Sequence, residues 1–206
     1  MKKYFVRYKR YALFLFNWIF KEKIRGLDFT MRDKSLLKQA DGKLHGYSIT
    51  PEKHLKEIFS NLSIQSTDKF IDIGCGKGFV LRYASKFPFI EILGIDIDKR
   101  LIDIANQNLT KLKLENVKAI CVDAITFDLY SDYTHFFFFN PFGIEVFSQV
   151  FDKILQSTPR RKITVIYYNP TCADYIFSTG KLELKYKLYD PMREYYTHIY
   201  ESKSDD

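Results

Sequence analysis

Only three cysteines occur in this 206-residue chain, Cys75, Cys121 and Cys172. They are scattered, odd in number and lack the Cys-x-x-Cys spacing of a metal or redox site. A disulfide framework is thereby excluded, and reduced thiols in a cytoplasmic protein are expected. The four histidines, His45, His54, His135 and His198, form no local cluster, so no metal centre is expected. Long hydrophobic runs are missing too. Residues 11–20 give an apolar stretch of about half the length needed to cross a bilayer. Lys21-Glu22-Lys23 follows it, where a secretory signal would place small residues before its cleavage site. No internal repeat and no Pro/Gly/Ser-rich linker divides the chain, whose length suits one domain with a sizeable core. With 46% hydrophobic and 17% aromatic residues, the composition is also far from that of a disordered protein.

Net charge is absent from most of the sequence. The formal +7 resides in residues 1–25, where Lys2, Lys3, Arg7, Lys9, Arg10, Lys21, Lys23 and Arg25 face one acid, Glu22; the remainder holds 24 basic and 24 acidic side chains. The same segment carries Tyr4, Phe5, Tyr8, Tyr11, Phe14, Phe16, Trp18 and Phe20. On a helix, Lys3, Arg7, Arg10, Asn17 and Lys21 share one stripe, and Phe5, Tyr8, Ala12, Leu15 and Ile19 another, which predicts an amphipathic helix. Three uses are open to it. It can dock as a lid over the domain with its basic stripe outward, which is the favoured reading. It can bind RNA through charge and stacking, or lie on an anionic membrane surface or a partner.

What the chain does have is a glycine-rich turn. Residues 70–78 read Phe-Ile-Asp-Ile-Gly-Cys-Gly-Lys-Gly: an apolar strand reaching Asp72, three alternate glycines at Gly74, Gly76 and Gly78, then a helical pattern from Phe79. A dinucleotide fingerprint requires glycine at position 79, so Phe79 disfavours a nicotinamide-dependent dehydrogenase; the Gly-Lys-Ser/Thr of a phosphate-binding P-loop is also lacking. In open α/β sheets such turns lie at the carboxyl ends of strands, where ligands bind. Residues 90–95 read as a second buried strand, and Asp96 at its end, about 20 residues past the turn, suits the two ribose hydroxyls of an adenosine ligand, with Asp98 as a weaker competitor. Residues 117–122 form a third strand that runs into Asp123-Ala124.

Asp-x-Gly-x-Gly-x-Gly, followed by acids at the ends of the next two strands, resembles the motifs of class I S-adenosylmethionine-dependent methyltransferases, over roughly residues 50–170. The resemblance implies S-adenosyl-L-methionine as cofactor. It would be held by Asp72, Gly74, Cys75, Gly76 and Gly78 at the turn, by Asp96 and Ile97 at the ribose, by Asp123 and Ala124 at the adenine, and by Asn140. After a fourth strand, Asn140-Pro141-Phe142-Gly143 is similar to the Asn/Asp-Pro-Pro-aromatic motif of amino-group methyltransferases. There the Asn side chain and first Pro carbonyl hold a planar amino group under a stacked ring. Here Phe142 replaces the second Pro and Gly143 the aromatic, which leaves Phe142 as the candidate ring. Asn140, Pro141 and Phe142 are thus the candidate catalytic residues. The acceptor is unidentified, with a planar amino nitrogen of nucleic acid or protein as one class. Asn140 as a turn residue facing the cofactor is the competing reading. A hydroxyl acceptor would need a general base, for which His45, Tyr47 and Glu145 are nearby. From a different class, a non-catalytic S-adenosylmethionine-binding subunit or sensor is the alternative.

The remaining pattern places helices at 51–61 (Thr50 as N-cap, Pro51 first in the helix), 79–87 (stopped by Pro88), 99–114 and 144–156. Strands are predicted at 135–139, 163–168, 182–189 and 194–200, the last two antiparallel. The expected fold is α/β: a three-layer, mostly parallel seven-stranded sheet with a C-terminal antiparallel strand pair, plus an N-terminal helical extension. Residues 1–50 form the basic-aromatic extension and residues 51–206 the domain proper.

Overall fold

Short β-branched and aromatic runs separated by amphipathic helices fold into a single sheet in the computed structural model, which describes residues 16, 18–20, 22–30, 48–159 and 161–203. Its strands are β1 (Lys69–Ile73), β2 (Glu91–Asp96), β3 (Val117–Cys121), β4 (His135–Phe139), β5 (Thr164–Tyr168), β6 (Leu182–Asp190) and β7 (Tyr195–Ser202). They are ordered β3-β2-β1-β4-β5-β7-β6. The first five run parallel, and β7 lies antiparallel between β5 and β6. The expected architecture is what forms. The order reverses beside β1, so the carboxyl ends of β1, β2 and β4 open onto a common crevice.

Strands apolar on both faces need helices on both. Helices α1 (Glu52–Ser60), α2 (Phe79–Ala84) and α3 (Lys99–Lys111) cover one face, where Leu55, Ile58, Phe59, Ile102 and Ala105 meet Phe70, Ile92 and Phe137. Helices α4 (Ile144–Ser157) and α5 (Ala173–Ser178) cover the other, where Phe147, Val150, Phe151 and Ile176 meet Ile71, Phe136, Phe138 and Tyr167. Phe147 stacks on both Phe151 and Tyr167, with ring centroids 5.6 and 4.9 Å apart.

Several local expectations shift. Thr50 is not the cap of α1: Pro51 holds that place, and the Thr50 hydroxyl makes no capping bond. Helix α2 ends at Ala84, three residues before the expected stop, its last turn closed by Lys86 and Phe87 amides on Tyr83 and Ala84 carbonyls. The buried stripe of α3 is Leu101, Ile102, Ala105, Asn108 and Leu109. Helix α5 was not anticipated, because six residues carry too little periodicity to register.

The amphipathic helix expected over residues 3–21 falls largely outside the described residues, as do His45 and Tyr47. Of the N-terminal segment, Phe16 and residues 18–20 are helical, and a 3₁₀ turn spans Lys23–Arg25. Beyond that turn the chain is fastened to the domain, with Leu27 and Phe29 buried in the first core. Among the described residues no helix is long and apolar enough to cross a membrane.

Candidate active site

The crevice is built from backbone first. At the end of β1, Gly74, Gly76 and Gly78 have φ of 83°, 53° and 80°, a region that other residues enter only with strain. Gly74 is doubly constrained, since a Cβ there would lie 2.8 Å from the Pro141 Cβ. The amides of Gly74 and Cys75 donate to the Ile95 carbonyl at 2.9 and 3.0 Å, tying the turn to β2. The Cys75 side chain turns inward beneath β2. Gly94 makes room for it, because a Cβ at Gly94 would stand 2.6 Å from its Sγ. Burial pushes the thiol pKa well up, so it stays protonated. Cys75 therefore offers the crevice its backbone and not its sulfur.

Asp96 completes the turn from β2. Its Oδ2 accepts from the Gly76 amide and its Oδ1 from the Asp98 amide, both at 2.9 Å. Asp98 is spent elsewhere: it caps α3 through the Arg100 amide at 2.9 Å and pairs with the Arg100 guanidinium at 2.8 Å. That pairing lowers its pKa. Asp96 is thus the acid the geometry leaves for a ligand. At the next strand end, Asp123 Oδ1 accepts from the Ile125 amide at 2.9 Å. Ala124 is buried, its carbonyl accepting from the Tyr130 hydroxyl at 2.7 Å. Ile97 projects from the tip of β2, 53% exposed.

Asp72 is 2% exposed, and burial together with the Asp96 charge raises its pKa well above the usual carboxylate range. Burial raises Asp96 as well. Two desolvated acids side by side are costly alone and favourable beside a cation. An acid whose folded pKa exceeds its unfolded one destabilises the fold as pH rises through the interval between them. Asp72→Asn should therefore raise the thermal midpoint at neutral pH by roughly 2–6 °C and flatten its decline above about pH 4. Affinity for a cationic ligand should fall in the same variant. Calorimetric scans from pH 4 to 8 and ligand titrations check both halves.

The β4 end supplies Asn140, whose φ of 39° is unusual for a residue with a side chain. Its Oδ1 accepts from the Thr171 hydroxyl at 2.6 Å and the Tyr167 hydroxyl at 3.3 Å. Pro141 packs on Gly74. Phe142 goes elsewhere than its candidate role requires: it is 8% exposed and lies in the second core. Inserted into the apolar layer after the turn, its ring does not face the crevice as a stacking platform would. The rings that border the crevice are Phe139 and those behind it, Tyr168 at 4.4 Å and Tyr195 at 6.5 Å between centroids.

A small, shallow cleft lies here, lined by Ser48, Ile49, Thr50, Asp72, Gly74, Cys75, Phe79, Val80, Phe137 and Phe139. The Ser48 to Thr50 wall escaped sequence reading, because Thr50 has the signature of a helix cap. In place, its buried Oγ1 lacks a hydrogen-bond partner among the described residues. Arg193, also unforeseen, braces this wall through the Ser48 Oγ and Ile49 carbonyl, both at 3.0 Å. Glu145 is exposed in the first turn of α4, where an acid suits the helix dipole. Among the described residues no His/Cys/Asp/Glu group has a metal-binding arrangement.

Residues 64–193 match the methyltransferase domain family. The chain is 27% identical over 82 residues to a ribosomal protein L11 methyltransferase of Thermotoga neapolitana, covering 40% of this chain and 31% of that protein. It is 28% identical over 123 residues to an rRNA adenine N-6-methyltransferase of Limosilactobacillus reuteri, covering 58% and 48%. The chain thus spans only about a third of the ribosomal-protein methyltransferase and half of the rRNA one. In fold it is similar to an RNA methyltransferase from Salinibacter ruber in complex with S-adenosyl-L-homocysteine, with a TM-score of 0.58, 16% identity and coverage of 77% and 96%. The crevice suits that class of ligand. Gly74 leaves no space for a side chain where the turn meets Pro141, paired acids await a cation, and an orphaned hydroxyl lies in the wall. With 130 of its residues inside the matched domain, this chain belongs to the methyltransferase domain family.

Proposed function

We propose that the chain methylates a planar amino nitrogen of an RNA base, with the basic N-terminal segment drawing the polyanion to the site. Asn140 carries this reading. A strained backbone held directly after a buried strand is a feature that folding alone does not favour, and such residues cluster at functional sites. The Thr171 and Tyr167 hydroxyls hold the plane of its amide. Since hydroxyls donate and accept equally, they lock that plane in either orientation of the amide. Phe139, backed by Tyr168 and Tyr195, supplies the aromatic wall that Phe142 does not.

S-adenosylmethionine supplies an electrophilic methyl group on a sulfonium, and the protein's part is alignment and exclusion of water. Asp96 would hold the ribose hydroxyls, Asp123 the adenine edge, and Asp72 the positive end of the methionine portion. Asn140 and Pro141 would fix the acceptor nitrogen so that its lone pair points along the line of transfer, and positioning of this kind lowers a barrier by several kcal/mol. An amino nitrogen attacks through its own lone pair and sheds its proton afterwards, so no strong base is demanded of these residues. RNA as acceptor is supported by relatives named for rRNA and by the concentration of the net charge in residues 1–25.

Incubation with S-adenosylmethionine carrying a tritiated methyl group, then sorting of label into RNA, DNA, protein and small molecules, tests the reading. Label is expected in RNA, on a methylated amino nitrogen identified by nucleoside mass spectrometry. RNA binding should fall steeply with salt. Label confined to protein or small molecules, or a methylated hydroxyl, would overturn the proposal.

A further inference from the structure

Residues 22–30 cross the outer side of the glycine turn as a strap, and the contacts converge on two residues of the cofactor crevice. Lys77 stands between Gly76, whose amide is bound by Asp96, and Gly78. Its side chain is 2% exposed, and its Nζ donates to Asp28 Oδ1 and Oδ2 at 2.8 and 2.7 Å. Asn108, a polar residue in the buried stripe of α3, explains itself here. Its Oδ1 accepts from the Asp28 amide at 2.9 Å, and its Nδ2 donates to the Asp28 carbonyl at 2.9 Å and the Lys77 carbonyl at 3.1 Å. The strap is shaped from within by Glu22, 4% exposed, whose Oε2 accepts from the Phe29 and Thr30 amides at 2.9 and 3.0 Å. Phe29 meets the edge of Phe79 at 5.7 Å, and Phe79 lines the cofactor cleft. The Arg82 guanidinium covers both rings, at 5.4 and 5.1 Å.

We infer that this strap is part of the cofactor site, a positioning element in which Asp28 and Asn108 hold the glycine turn in its ligand-binding conformation from outside. A turn with three left-handed glycines has little conformational preference of its own. Asp96 restrains it at the Gly76 amide, while Asp28 and Asn108 restrain it through the Lys77 side chain and carbonyl. A turn held in advance spares the cofactor that ordering cost. Linkage makes the effect mutual: whatever affinity the strap adds for the cofactor, the cofactor returns as order in the strap.

The test uses the full chain and S-adenosylhomocysteine as probe, with no acceptor. Asp28→Asn keeps the size of the side chain and removes its charge; its dissociation constant, measured calorimetrically, should rise about fivefold or more. Asn108→Leu should do the same. In the wild-type chain, the probe should slow amide exchange at residues 27–30. A variant with a lowered thermal midpoint but a wild-type dissociation constant would make the strap mere packing and overturn the inference. If Asp28→Asn does not fold, the exchange experiment decides alone, and unchanged exchange at residues 27–30 under saturating probe overturns it. Wild-type binding of the probe reports separately on the cofactor, and methyl incorporation separately on the acceptor, so failure of either reading is distinguishable from failure of this one.

Discussion

Asn140→Ala is expected to lower methyl-transfer turnover by on the order of 10²–10³ while changing the cofactor dissociation constant by no more than about twofold. The asymmetry follows from where the residue sits. Asn140 directly follows β4, with its amide anchored on Thr171 and Tyr167 and not on the turn or the acids proposed to hold the cofactor. Removing the amide takes away the group that orients the acceptor and leaves the glycine turn, Asp72 and Asp96 in place. Alanine also has to adopt the φ of 39°, a cost of about 1–2 kcal/mol that would appear in stability. Asn140→Gly separates the two effects, since glycine accepts this conformation and still lacks the amide. Both variants should show the same loss of turnover in single-turnover assays, with only the alanine form lowered in thermal midpoint. Equal losses in turnover and cofactor affinity would demote Asn140 to a cofactor contact, and wild-type turnover in either variant would remove the support for amino-nitrogen chemistry.

How much could be read from the chain depended on how local the cause was. β4 was placed at both ends because His135 and four consecutive phenylalanines lie between turn formers, and the parallel order follows from strand-helix alternation. The positions of Asp72, Asp96 and Asp123 at or just beside the ends of β1, β2 and β3 were legible from spacing alone, since each acid marks the point where an apolar run stops. Contacts between distant segments left no such trace. Asp28 and Lys77 are 49 residues apart, Asp28 and Asn108 are 80, and Arg193 and Ser48 are 145; no pattern in a window of a dozen residues predicts such pairs. Phe142 was misjudged for a related reason. A ring after a tight turn can face either the crevice or the core, and a linear motif does not encode which. Thr50 shows a local signal overridden by tertiary structure: its cap signature is sound, but Pro51 takes the cap and the hydroxyl is buried in the cleft wall.

Asp96→Ala is expected to weaken cofactor affinity by more than ligand contacts alone would account for. Charge-assisted hydrogen bonds to the ribose hydroxyls contribute about 1.5–3 kcal/mol, equivalent to roughly one to two powers of ten in the dissociation constant. The structure adds a second loss. The same carboxylate holds the Gly76 and Asp98 amides, so its removal also frees the Gly76 amide at the centre of the glycine turn and loosens the start of α3. Asp96→Asn divides the contributions, since a carboxamide oxygen can still accept one of the two amides while the charge disappears. The expected order of affinity is wild type, then Asp96→Asn, then Asp96→Ala, with the alanine variant weaker by about a hundredfold or more. Acidity should act in the same direction. Burial raises the Asp96 pKa, and hydroxyl donors favour the ionised form, so wild-type affinity should decline as pH falls through that raised value. The alanine variant should show a shallower decline, with the remaining dependence belonging to Asp72. Titrations of S-adenosylhomocysteine from pH 4.5 to 8 would measure all of this. Parallel pH profiles in wild type and Asp96→Ala, or a loss of less than threefold in the alanine variant, would place the ribose on another group.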